Sequence, residues 1–170
     1  MLIMWSILLK KFEKHPAQQK VLRLLFERGF QVNDEGKVIS GDIEIAHTQL
    51  AKEAGVDRRV VDSTTEAILS DELLKNIFQN VRSIPFLRDV APLLGLGVII
   101  ITPDDAAHKG IISDGSTVIA HHDISIRQAV SDDPFFTAEP RLTIITDTKV
   151  PGSIVEELLS LESVKGVSIY

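Results

Sequence analysis

Residues 47–69 read HTQLAKEAGVDRRVVDSTTEAIL. Two helical patterns stand on either side of Gly55. Thr48 is placed to cap the first, which carries Leu50, Ala51 and Ala54. Gly55 ends it, because a tight turn wants a residue that tolerates positive φ. Asp57 can cap the second, which turns Val60, Val61, Thr64, Ala67 and Ile68 toward a core. Ala51 is small enough for a close helix crossing, Gly55 follows four residues later, and Val61 six after that. This is the spacing of a helix-turn-helix.

The second helix would present Asp57, Arg58, Arg59, Asp62, Ser63 and Glu66. Arginines near its start suit guanine edges or phosphates. Thr48, Gln49, Arg58, Arg59 and Ser63 are therefore the candidate DNA-binding residues. The acidic residues repel phosphate, so a charged, solvated face in a protein-contact domain is the competing reading.

Upstream, PAQQKVLRLLFERGF predicts a helix with Pro16 in its first turn, Val21, Leu24, Leu25 and Arg28 on neighbouring faces, and Gly29 as its stop. FQVNDEGKVIS then offers two β-prone runs around Asn33–Gly36, a hairpin signal, and GDIEIAH a third strand. At the start, Trp5, Leu8, Leu9 and Phe12 follow helical spacing, so a short amphipathic helix is expected. No basic region precedes this stretch and no small-residue cleavage site follows it, which argues against a signal peptide; Met4 is an alternative start. Downstream, Leu73, Leu74, Ile77, Phe78 and Val81 predict a further helix capped by Ser70 or Asp71. Pro85 and Pro92 punctuate the chain beyond it, and a domain boundary is expected at residue 90, giving domains 1–90 and 91–170.

Charge supports that division. Residues 1–90 hold 13 basic and 13 acidic side chains; residues 91–170 hold 5 and 11, which accounts for the whole net charge of −6. A neutral N-terminal half confines any phosphate affinity to a local patch. Hydrophobic residues make up 44% of the chain, enough to fill a core. Cysteine is absent, which excludes disulfides and thiolate metal sites and fits a cytoplasmic protein. The apolar runs are far shorter than the ~20 residues of a membrane span.

The second half alternates strand and helix. LGVIIIT reads as a buried strand. GIISDGSTVIAHHD reads as a helix with apolar residues at 111, 112, 118 and 119, where Gly115 marks close packing. ISIRQAV and RLTIITD read as strands. PGSIVEELLSLESV reads as a helix with Pro151 in its first turn and Ile154, Leu158 and Leu161 on one face; KGVSIY closes as a strand. The order β-α-β-β-α-β implies a ferredoxin-like antiparallel sheet with two helices on one face. The expected fold class is α+β, a helix-turn-helix (winged-helix-like) domain followed by that sheet.

ITPDDAAHKGIISDGSTVIAHHDISI resembles the start of an ACT domain, a small-molecule sensing module, and EPRLTIITD and VPGSIVEELLSLESVKGVSIY continue the likeness. Together with HPAQQKVLRLLFERGF, GDIEIAHTQLAKEAGVDRRVVD and DVAPLLGLGV, the chain resembles an archaeal family of predicted regulators of amino acid metabolism. The resemblance implies a homodimer or higher homo-oligomer formed through the ACT domains, with an amino acid effector at the subunit interface. It places the ligand at the loop Pro103–Gly110 and at the start of the partner's second strand. Asp104, Asp105, His108, Lys109, Gly110 and Ser125 are the implied ligand-binding residues. Departures are Lys109 where a proline usually precedes the glycine, Ala107 where a polar side chain is usual, and Gly115 within the helix. Lys109 is either a carboxylate partner or an exposed loop lysine; Asp104 and Asp105 either hold an amino group or cap the turn.

Enzyme signatures are missing. No GxSxG, P-loop or GxGxxG occurs. Adjacent histidines such as His121 and His122 point about 100° apart on a helix and chelate one metal poorly. The expectation is a non-enzymatic, ligand-responsive regulator without a cofactor that binds DNA. The alternative is an interaction module that regulates a biosynthetic enzyme by protein contact.

Overall fold

A computed structural model of the chain describes residues 8–105, 107–134 and 136–170. Trp5, expected on the first amphipathic helix, lies outside them. Within them Leu8 and Phe12 are buried, as that pattern requires. The chain divides into two compact units at Pro85/Phe86. The division precedes residue 90 because Leu87 and Ala91 pack with Val98, Ile100 and Ile145 of the second unit.

In the first unit, residues 8–10 are helical and α1 (Pro16–Glu27) buries Val21, Leu22 and Leu25. Three short antiparallel strands follow: β1 (Gln31–Val32), β2 (Val38–Ser40) and β3 (Ile43–Ile45). Asn33 sets the first hairpin, its Oδ1 accepting the N–H groups of Glu35 and Lys37 at 3.0 and 2.9 Å. Next come α2 (His47–Ala54), α3 (Arg58–Ser70) and α4 (Glu72–Asn80). α3 buries Val61, Thr64, Thr65 and Ile68, α4 buries Leu74 and Phe78, and the two helices pack on each other. The two buried threonines donate to their own helix, to Val60 O at 2.6 Å and Asp62 O at 2.9 Å, so no polar group is orphaned by their burial. Asp71 caps α4 by accepting from Leu74 N–H at 3.1 Å, whereas the Ser70 hydroxyl turns back to Glu66 O.

Two expectations need correction here. The sheet stands before the helix pair, and the element after α3 is another helix, so there is no wing behind the second helix of the pair. The apolar spacing of Leu74 and Phe78 is helical, which leaves no strand to form one there. Thr48 lies inside α2, whose N-cap is Ala46 without a side-chain bond.

The second unit is a four-stranded antiparallel sheet with strand order β5-β6-β4-β7. Its elements are β4 (Gly97–Pro103), α5 (Ile111–His121), β5 (Ile126–Ser131), β6 (Leu142–Thr146), α6 (Ser153–Leu159) and β7 (Val164–Ile169). Ile99, Ile101, Leu142 and Ile144 form one face and pack with Ile119 of α5 and Ile154 and Leu158 of α6. Val98, Ile100 and Ile145 form the other, under Leu87, Ala91 and Leu96. Both faces of β4 are covered, which is why its sequence is continuously apolar rather than alternating. Gly115 lets α5 approach the sheet: a Cβ there would lie 3.1 Å from Ile101 Cδ1. Pro151 precedes α6 instead of entering its first turn, since Gly152 is the N-cap, and Leu161 lies past its end. Among the described residues no helix is long and apolar enough to cross a membrane.

Candidate functional site

In the first unit the turn between α2 and α3 is built as the sequence requires. Gly55 adopts the left-handed conformation, φ 63° and ψ 43°, and its N–H closes α2. Val56 N–H then donates to Ala51 O at 2.9 Å. Asp57 caps α3, its Oδ1 accepting Arg59 N–H at 2.9 Å. The cap also sets a carboxylate at the positive end of the helix dipole.

Thr48, Gln49, Arg58 and Arg59 are all exposed. Ser63 is half-buried; its hydroxyl accepts from Gln18 Nε2 at 3.0 Å and donates to Val60 O at 3.1 Å. That places Ser63 against α1, in a groove lined also by Lys14, His15, Pro16, Ala17 and Val60. Asp62 is not an open acidic charge. Its Oδ1 lies 2.6 Å from His47 Nδ1, and its Oδ2 3.6 Å from Arg58 Nε. Sequence reasoning does not single out His47. It is 15 positions from Asp62, and no local pattern joins them.

In the second unit a cavity of about 410 Å³ opens where β4 ends and α5 begins. Pro103, Ile111, Ile112, Pro140 and Leu142 give it apolar walls; His108, Ser113, Ser131, Asp132 and Arg141 are its polar groups. Its size is that of a small-molecule pocket. Gly110 is the N-cap of α5 with φ 101°, and no side chain caps the helix. The backbone N–H groups of the first turn therefore stand at the cavity without a side-chain partner. Asp132 and Arg141 close the β5–β6 hairpin: Asp132 N–H donates to Arg141 O at 2.9 Å, and Arg141 N–H to Asp132 Oδ2 at 3.1 Å. The Arg141 guanidinium meets Glu139 at 3.2 Å on the surface.

Of the ligand-binding residues expected from sequence, His108 and Gly110 line this cavity. Asp104, Asp105, Lys109 and Ser125 are exposed and do not line it. Asp105 acts as a turn cap, its Oδ1 accepting Ala107 N–H at 2.9 Å. Ser125 precedes β5 rather than beginning it, and its N–H donates to Asp147 Oδ1 at 3.1 Å. Arg141 and Asp132 carry the cavity's charge; from sequence, Asp132 with Asp133 before Pro134 reads as a solvated loop or a cation site, and Arg141 is not singled out. His122 bonds Glu157 at 2.8 Å. Among the described residues no group of three or more His, Asp or Glu side chains could hold a metal ion.

No family model matches the chain, and no curated protein does. Among solved structures it is similar to a homoserine dehydrogenase from Thiobacillus denitrificans, at 12% identity and TM-score 0.35 over 67% of this chain and only 28% of that one. It is similar to a transcriptional regulatory protein of the AsnC family from Pyrococcus furiosus, at 12% identity and TM-score 0.30 over 90% of this chain and 85% of that one. It is also similar to the leucine response regulatory protein of Mycobacterium tuberculosis, at 14% identity and TM-score 0.28 over 91% and 90%. Likenesses at these scores carry no argument about function.

Proposed function

We propose that the chain is a ligand-responsive regulator that binds duplex DNA through α2 and α3 and an amino acid through its second unit. The observation that carries this reading is the helix pair: a left-handed Gly55 turn, an Asp57-capped α3, and Arg58 and Arg59 exposed at its start. A helix entering a major groove offers such N-terminal side chains to base edges and phosphates.

The second unit is read as an ACT domain, paired as a homodimer or higher homo-oligomer. Its strand order and its two helices on one face support this. The cavity beside α5 suits a zwitterion, because Arg141 and the first-turn N–H groups favour a carboxylate, and Asp132 favours an ammonium. Ligand and DNA are linked only if the ligand binds two arrangements of the protein with different affinity.

The test is retention of sheared genomic DNA by the full chain, with and without a mixture of the twenty amino acids. Enriched fragments sharing a two-fold motif, with retention that changes on adding amino acids, are the expected result. Retention that vanishes at moderate salt without a common sequence reduces the interaction to phosphate attraction.

A second reading, regulation by protein contact, has its own observation. Phe86, Val90, Leu93 and Leu94 are exposed in one short stretch, Leu93 at 85%. Clustered apolar side chains of this kind suit a protein partner. Co-purification of an enzyme without DNA favours it.

A further inference from the structure

We propose that His47 is the positioning residue of the DNA-reading helix, acting through Asp62; this rests on the DNA reading above. His47 is the first residue of α2 and Asp62 lies one turn into α3. The Gly55 turn joins the two helices at one end of α2, and the His47–Asp62 bond joins them at the other. At 2.6 Å to a carboxylate oxygen, Nδ1 must carry the proton and donate it. The other ring nitrogen, Nε2, is buried and finds no hydrogen-bond partner among the described residues. Among the described residues the ring is thus held by a single polar contact, and loss of Asp62 removes it.

The same carboxylate faces Arg58 with its second oxygen. An exposed arginine samples many rotamers; one drawn toward Asp62 is restricted to fewer. Asp62 therefore acts as a relay from α2 to the side chain offered to DNA, and its oxygens are turned toward the His47 imidazole and the Arg58 guanidinium rather than toward phosphate. Charge counting alone gives the opposite expectation, since removing an acid from a nucleic-acid face tightens binding.

That opposition makes the test. A fluorescein-labelled duplex of mixed sequence is titrated at low salt with the full chain and four variants: Asp62→Ala, Asp62→Asn, His47→Phe, and the double variant His47→Phe/Asp62→Ala. Asp62→Ala and His47→Phe are each expected to weaken binding at least about fivefold. Asp62→Asn keeps an acceptor oxygen for the imidazole N–H and is expected to bind at least as tightly as the wild type. In the His47→Phe background Asp62 no longer links the two helices and keeps only its contact with the exposed Arg58, so its charge dominates and adding Asp62→Ala is expected to tighten binding. Nitrogen-edited proton NMR of the free protein gives an independent readout: an exchange-protected His47 Nδ1–H, absent in Asp62→Ala. Tighter binding by Asp62→Ala in the wild-type background, or unchanged affinity in His47→Phe, overturns this proposal alone. A wild-type chain that shows the protected proton and binds no duplex overturns the DNA reading, and this proposal with it.

Discussion

The two units fix their candidate sites by different means. In the first, helices are aligned by side chains: a cap at Asp57, a bond from Gln18 to Ser63, and the His47–Asp62 pair. In the second, a sheet whose strand β4 is buried on both faces holds the cavity, and a backbone bond between Asp132 and Arg141, joined by the Asp132 carboxylate, closes its rim. A site aligned by side chains is exposed to single substitutions that leave the core intact. A site held by a strand ladder is lost only with the strands.

The largest expected effect probes the cores. Phe78 is fully buried on α4, which packs against α3, and Phe78→Ala should cost about 3–5 kcal/mol. Urea titration followed by hydrogen exchange is expected to show loss of protection in α1, α3 and α4. Equal loss in β4 and β6 breaks the contrast between the units.

Gly97→Ala is the counterpart in the sheet. Its Cβ would lie 2.4 Å from Thr146 Oγ1 and 2.5 Å from Thr148 O, and the second is backbone that cannot swing aside. A cost of about 1–3 kcal/mol is expected, confined to the second unit. A neutral melting temperature removes the claim that the sheet end is closely packed.

Asp57→Ala deletes the cap of α3 and should cost about 1 kcal/mol. Because Arg58 and Arg59 follow directly, duplex affinity is expected to fall as well. A drop in stability with unchanged retention of DNA separates the cap from the site.

The smallest effect is one of pH. Asp71 is held below the ordinary carboxylate range, first by its bond with Lys11 and then by Leu74 N–H. A carboxyl with a lowered folded-state pKa contributes stability that is present above its unfolded value, ~3.9, and is lost as pH falls through the lowered value. Melting temperature recorded across the acid range should therefore fall less steeply for Asp71→Asn than for the wild type. Parallel curves are the contrary result.

Much of the fold is legible because it is written in local periods. The helix over 16–27, the hairpin around Asn33–Gly36, the Gly55 turn and the Asp57 cap each depend on residues within a few positions of one another. The same holds for the strand and helix sequence after Gly97. Thr48 looks like a cap, but the chain already turns at Ala46.

The candidate sites are legible only in part. Arg58 and Arg59 follow from helix position alone, and Gly110 from the resemblance to an ACT domain; the structure shows it as the N-cap of α5 at a positive φ. Asp62 reads as a repulsive charge because its partner is 15 residues away. Sequence puts the ligand on the loop before α5, yet the cavity's charged groups come from the β5–β6 hairpin, at Asp132 and Arg141.

By itself, then, the sequence determined the order of elements, the turn between the paired helices, and which faces are apolar, because these depend on spacings of two to four residues. Only the tertiary structure decided that Asp62 answers to His47, and that Arg141 stands beside the start of α5. Those contacts join positions far apart in the chain, and no local period records them.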